Sequence, residues 1–240
     1  MGQGDRDILD MRSEDAKHTI ARYWDQRSPT FDSQPQHVSQ SDEETAAWKG
    51  LLGRLTSGRE RLFILEVGTG TGFLAFLLSE MGHKVIGIDI STGMLSQARE
   101  KAGKLGRDVL FQEADAEYTG FPDKTFDVVI SRHVLWNLPS PDTAIEEWVR
   151  VTRPGGVVGA IDGIFSGMGG HWGESYRSAF EQLPLLGGAE PEKVAVLMRE
   201  KGLVSIRTEW LNDLVAIKRR TLPGYSSSRY MVVGAKPFPL

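Results

Sequence analysis

Phe63-Ile64-Leu65-Glu66-Val67-Gly68-Thr69-Gly70-Thr71-Gly72 is an apolar run that breaks into alternating glycines, and Val85-Ile86-Gly87-Ile88-Asp89 follows it. The pattern predicts a buried strand, a glycine turn, a helix, and a second strand that ends in an acid. Glycine tolerates positive φ and has no Cβ, so such a turn lets a ligand approach main-chain atoms. An acid at the tip of the next strand is placed to accept hydrogen bonds from a ribose diol.

Outward from this unit, the chain alternates strand and helix from Arg61 on, which predicts an α/β fold with a mostly parallel sheet covered on both faces. Apolar runs place further strands at 109–112, 126–131, 157–161, 203–210 and 229–233, making seven with the first two. Helices are expected over 72–81, from a Ser91 or Thr92 cap through Ala98, and over 142–151 and 192–199. Arg153-Pro154-Gly155-Gly156 reads as a stop and a turn. Two helices precede the sheet. One runs from Glu14 to Gln26, after a polar, frayed first dozen residues; the other opens at Ser41-Asp42-Glu43-Glu44, the Ser-x-x-Glu form of a capping box, and reaches Leu55. The rhythm fails after Asp162. Gly163 to Gly188 is long for a connection and predicts a partly helical insertion. We expect one domain, with an N-terminal helical segment (1–60), a ligand-binding core (61–162), an insertion (163–190), and a C-terminal helix and strands (191–240).

Composition narrows the chemistry. The 240 residues include no cysteine, which removes disulfides, thiolate metal sites and a catalytic thiol. A net charge of −4, with basic residues spread along the chain, gives no footprint for nucleic acid. No apolar stretch reaches membrane-spanning length and Met1 to Arg6 is polar, so a cytoplasmic protein without a membrane partner is expected, as monomer or homodimer and without a metal.

The glycine spacing selects the kind of nucleoside. A dinucleotide fingerprint puts its third glycine three positions after its second, and here that position is Phe73. The glycines instead alternate and follow Glu66. With Asp89, with Ala114-Asp115-Ala116-Glu117 ahead of Phe121-Pro122 and Phe126-Asp127, and with Ser131 to Leu138, the chain resembles the class I S-adenosylmethionine-dependent methyltransferase family from Leu62 to about Ile161. The resemblance implies a Rossmann-like seven-stranded sheet, S-adenosyl-L-methionine as cofactor and S-adenosyl-L-homocysteine as product. It further implies methyl transfer to oxygen, nitrogen or carbon of a small-molecule acceptor, under a lid made by the N-terminal helices and the insertion. Two alternatives stand beside it: a sensor or assembly protein that binds the cofactor without catalysis, and an NAD-dependent or nucleotide-sugar enzyme on a related sheet.

The resemblance also implies residue roles. The loop Gly68, Thr69, Gly70 and Gly72 would pack under the methionine moiety, with Glu66 bracing it and Asp89 holding the ribose. Asp115 would accept from the adenine amine and Ala116 would offer its N–H. Ile90 and Met94 would flank the ring, although Met94 reads equally as helix core. Carbonyls near Ser131 or Arg132 would meet the methionine ammonium. His133 is placed to face the transferred methyl, with His171 as a second candidate base, and each reads equally as structural. Tyr23, Trp24, Phe31 and Asp32 match the family's N-terminal Tyr-Trp and Phe-Asp, where the segment closes over the cofactor. Met168, Trp172, Tyr176 and Phe180 are either an acceptor wall or a plug over the sheet.

Overall fold

The computed structural model describes residues 3–164, 180–181, 183–186 and 188–239, with side chains of the first helix from residue 14 on. In chain order the elements are α1 (Gln3–Arg27), α2 (Asp42–Leu55), β1 (Phe63–Val67), α3 (Phe73–Glu80), β2 (Lys84–Asp89), α4 (Thr92–Leu105), β3 (Leu110–Glu113) and β4 (Phe126–Arg132). They continue as α5 (Pro141–Val151), β5 (Thr152–Ile164), α6 (Pro191–Glu200), β6 (Val204–Trp210), α7 (Asn212–Thr221) and β7 (Ser228–Ala235).

The seven strands form one sheet in the order β3-β2-β1-β4-β5-β7-β6. β1 pairs in parallel with both β2 and β4, so the chain reverses its direction of travel across the sheet between those two neighbours. That switch point opens a crevice beyond the carboxyl ends of the strands. β7 is inserted antiparallel between β5 and β6. Alternation along the strands sends successive residues to opposite faces. In β4, Val128 and Ile130 join the core that includes residues of α2 and α3, while Val129 joins the core that includes residues of α5 and α6. Ile64, Leu65 and Val67 are fully buried, as expected of a strand covered on both sides.

Ser41 caps α2 by accepting from Glu44 N–H at 3.1 Å. The return bond of the box lands one residue upstream, where Gln40 N–H donates to Glu44 Oε2 at 2.9 Å. Burial of Glu44 is offset by Lys218 of α7, whose Nζ lies 2.9 Å from Glu44 Oε1 and also donates to Val38 O.

Four features depart from the sequence reading. α1 is helical from Gln3, where a frayed start was expected. α7 was not foreseen, although Leu211, Leu214, Val215 and Lys218 are spaced for one helical face and are buried. Arg153 to Gly156 do not form a separate turn, because β5 starts at Thr152 and takes them up as a register shift between Phe126↔Thr152 and Val128↔Val157. The cause is a clip from the far end of the chain: Gly155 N–H donates to Lys236 O and Lys236 N–H to Gly156 O. Lys236 Nζ also reaches the carbonyls of Val149, Arg150 and Thr152. Finally, β5 extends to Ile164, two residues into the expected insertion. Most of that insertion, with Met168, His171, Trp172 and Tyr176, lies outside the described residues. No helix among the described residues is long and apolar enough to cross a membrane.

Candidate functional site

A cavity of about 660 Å³ occupies the crevice at the carboxyl ends of β1, β2 and β4. Its floor is the loop after β1. Gly68, Gly70 and Gly72 all take positive φ, at +63°, +54° and +87°. At Gly68 an added Cβ would lie 2.3 Å from Val134 Cγ2, so only glycine fits there; at Gly70 nothing lies within 4 Å, and the main chain faces open space. Gly72 is the N-cap of α3 and does not border the cavity, in contrast to its expected contact role.

Glu66 holds the loop from below. Its Oε2 accepts from Thr69 Oγ1 at 2.6 Å and from Ala75 N–H at 2.8 Å. Burial pushes its carboxyl up to about 7, against the pull of Thr69 and Arg132. Asp89 stands at the β2 tip, with Oδ2 accepting from Gly70 N–H at 2.8 Å and Oδ1 from Ser91 N–H at 2.9 Å. Desolvation pushes it up to about 6, and Asp25 adds to the rise.

Ile90, Met94, Asp115 and Ala116 line the adjoining part of the cavity. Met94 is also buried at the start of α4, so both readings of it hold as geometry. Ala116 O accepts from Trp148 Nε1, which fixes the segment on α5. Asp115 is already engaged: Oδ1 accepts from Glu117 N–H, and Oδ2 lies 2.7 Å from Lys17 Nζ, which also reaches Glu117 Oε2 at 2.8 Å. Burial works against the charge of Lys17, yet the two carboxylates outweigh it and raise its pKa.

Lys17 belongs to an N-terminal segment that is tied down at three places. Asp25 Oδ1 accepts from Ser91 Oγ and Gly93 N–H at the start of α4. Asp32 accepts from Thr71 Oγ1 and from Lys101 Nζ, each at 2.6 Å. The segment thereby brings Tyr23, Trp24 and Phe31 to the cavity wall. Tyr23 and Trp24 meet edge-on, and Trp24 meets Phe31 and Trp136 in the same way. Phe180 is fully buried behind Tyr23 and Trp136, which supports the plug reading for that residue.

Arg132 and His133 follow β4. Arg132 lies over the rings of Phe73 and Trp48 and donates to His37 O at 3.2 Å; burial lowers its pKa to about 10. His133 takes φ +60°, a strained conformation for a residue with a side chain. Its Nδ1 stands 3.4 Å from Asp162 Oδ1. Burial, followed by Arg229, Arg132 and His37, holds His133 well below the usual histidine range, while burial pushes Asp162 up to about 7. Ser131 is buried inside β4 between Val67 and Ala160 and does not border the cavity, contrary to expectation. His171 lies outside the described residues.

Sequence reasoning missed Lys17, Asp25, Arg27, His37, Tyr225 and Arg229. Of these, Lys17 and Arg27 had a legible signal, since at helical spacing they fall on the face of α1 that carries Ile20 and Trp24 to the cavity. No group of three or more metal-ligating side chains occurs among the described residues.

Residues 65–160 match the family described as a methyltransferase domain. The chain is 40% identical over 128 residues to a demethylmenaquinone methyltransferase of Thermus thermophilus, covering 52% of this chain and 58% of that protein. It spans about half the length of the curated relatives it matches. In fold it is similar to the cyclase SpnF, with a TM-score of 0.68 and 19% identity over 92% of this chain and 96% of that one. It is likewise similar to a SAM-dependent methyltransferase from Aquifex aeolicus, with a TM-score of 0.63 and 21% identity over 88% and 97%. Over residues 65–160 the chain is thus similar to methyltransferase domains. Its Rossmann-like sheet is the one expected from the strand and glycine pattern.

Proposed function

We propose that the protein transfers a methyl group from S-adenosylmethionine to a small-molecule acceptor, and that the cavity holds both. One observation carries the reading: the Asp89 carboxylate holds Gly70 N–H at the edge of a cavity floored by left-handed glycines that leave main chain exposed. The residues present fit the cofactor, because a Cβ-free floor, a strand-tip acid and the Asp115-Ala116 edge border one space of suitable size. Asp89 would hold the ribose hydroxyls, Asp115 the adenine amine in competition with Lys17, and Gly68 to Gly70 the methionine part.

When bound, the cofactor supplies an electrophilic methyl on a sulfonium. The chain's task is to align the acceptor in line with it, and good alignment alone is worth about 7–11 kcal/mol of barrier. His133 is neutral at pH 7 and borders the cavity, so it can take a proton from a hydroxyl or ammonium acceptor while Asp162 orients the ring. We assign cofactor holding to residues 61–162 and acceptor cover to 1–60 and 163–190. The protein is read as a cytoplasmic monomer or homodimer without a nucleic-acid or membrane partner.

Calorimetric titration with S-adenosylhomocysteine, using NAD as control, tests the site. Micromolar affinity for the former alone, about −8 kcal/mol, supports it, and a preference for NAD overturns it. The similarity in fold to a cyclase favours keeping a second reading, that the cofactor is held without methyl transfer. Acceptor-dependent formation of S-adenosylhomocysteine separates the two. In that assay His133→Ala should lower turnover most at low pH; normal turnover at every pH would make His133 structural.

A further inference from the structure

Arg27, Arg132 and Arg229 all border the cavity, grouped around His37. None of the three forms an ion pair with a carboxylate among the described residues. Arg27 donates to Tyr23 OH and Gln34 Oε1, Arg132 to His37 O, and Arg229 Nη2 to Gln36 O at 3.3 Å. Every acceptor there is a neutral oxygen. The remaining contacts are ring faces, with Arg229 5.2 Å from the centre of Tyr225 and Arg132 4.3 Å from that of Phe73.

Arg229 is only 5% exposed, and its Nε is buried without a hydrogen-bond partner. Arg27 Nε and the Tyr225 hydroxyl, both in the same lining, are in the same condition. Buried cations normally stand opposite a counter-charge, because leaving one uncompensated costs several kcal/mol. The neighbouring acids are committed elsewhere: Glu44 pairs with Lys218, and Glu66 carries the loop. Burial and the arginines hold His37 and His133 uncharged at rest, so neither supplies a counter-charge.

The cofactor does not restore the balance. It brings a sulfonium and an ammonium against one carboxylate, so even if that carboxylate engages one arginine, positive charge remains in excess. An arginine fork with free donors is the arrangement that grips a carboxylate or phosphate. We infer that the methyl acceptor carries an anionic group, a carboxylate or a phosphate, and that Arg229 and the Tyr225 hydroxyl hold it, with Arg132 or Arg27 alongside. This inference rests on the methyltransferase reading of the cavity.

The test uses protein saturated with S-adenosylhomocysteine, so that the methionine carboxylate is already seated. Phenyl phosphate and benzoate, and their uncharged counterparts phenol and benzamide, are titrated by calorimetry. The anions should bind at least tenfold more tightly than the neutral probes; whichever anion binds better tells phosphate from carboxylate. Arg229→Gln should remove that preference while keeping S-adenosylhomocysteine affinity. Should that variant fail to fold, Tyr225→Phe removes only one hydroxyl and should weaken the anions by about threefold. Equal binding of charged and neutral probes, or an anion preference that both substitutions leave unchanged, overturns the inference alone. Failure of the wild-type protein to bind S-adenosylhomocysteine overturns the methyltransferase reading, and this one with it.

Discussion

At the Asp89 end of the cavity the binding surface is main chain, shaped by glycines within one strand-turn-helix unit. At the Arg229 end it is side chains, fixed by contacts between residues as far apart as Gln36 and Arg229, 193 positions along the chain. The first kind of surface depends on where a Cβ can stand, and the second on which segments dock. Substitutions at the two ends should therefore fail in different ways.

The largest contrast lies within the glycine loop itself. Gly68→Ala puts a Cβ against Val134 at positive φ, and should abolish S-adenosylhomocysteine binding in titration and lower the denaturation midpoint. Gly70→Ala meets no protein atom and costs the fold only the backbone penalty, about 1–2 kcal/mol, so its denaturation midpoint should fall less than that of Gly68→Ala. Equal damage from the two would mean that the floor is not shaped by steric exclusion.

Next comes Asp89→Ala, expected to weaken S-adenosylhomocysteine at least tenfold with the fold retained; unchanged affinity would remove Asp89 from the site. The same carboxyl gives two pH effects of opposite sign. Its pKa rises from 3.8 to about 6 on folding, so its contribution to stability is full below pH 3.8 and is lost as pH rises through 6. Ribose hydroxyls need the ionised form, so affinity should fall as pH drops through 6. Affinity measured from pH 5 to 8 should show this slope in the wild type and lose it in the variant.

The smallest effect is expected where the N-terminal segment docks. Asp32→Asn and Lys101→Met each break a partly exposed pair, and each should weaken binding by about threefold. Their effects should be less than additive in a double-mutant cycle. Full additivity would mean that the tie between Asp32 and Lys101 does not hold the segment down.

The sequence made the first end readable because each signal there is local. Phe63 to Val67 and Phe126 to Ser131 have strand composition, and Glu66, Gly68, Gly70 and Asp89 fall within one unit. The second end was opaque because its partners are remote. Lys17 can be paired with Asp115 only once α1 is docked beside the loop that follows β3. Arg229 read as the first residue of a strand, and nothing adjacent marks it as facing a cavity. α7 escaped notice because its buried face ends in Lys218, a residue that reads as solvent-exposed until Glu44 is brought beside it. Arg153 to Gly156 have the composition of a turn, and only the pairing with Lys236 makes them strand.

The aromatic wall gives the molecule an optical property. Trp24 and Trp136 border the cavity with ring centres 6.3 Å apart, whereas Trp48 and Trp148 are sealed in the core at 1% and 0% exposure. Displacing water from the cavity should shift the emission of the first pair to the blue and leave the second pair unchanged. Occupancy of the site can thus be followed by intrinsic fluorescence, without a label and on the timescale of mixing.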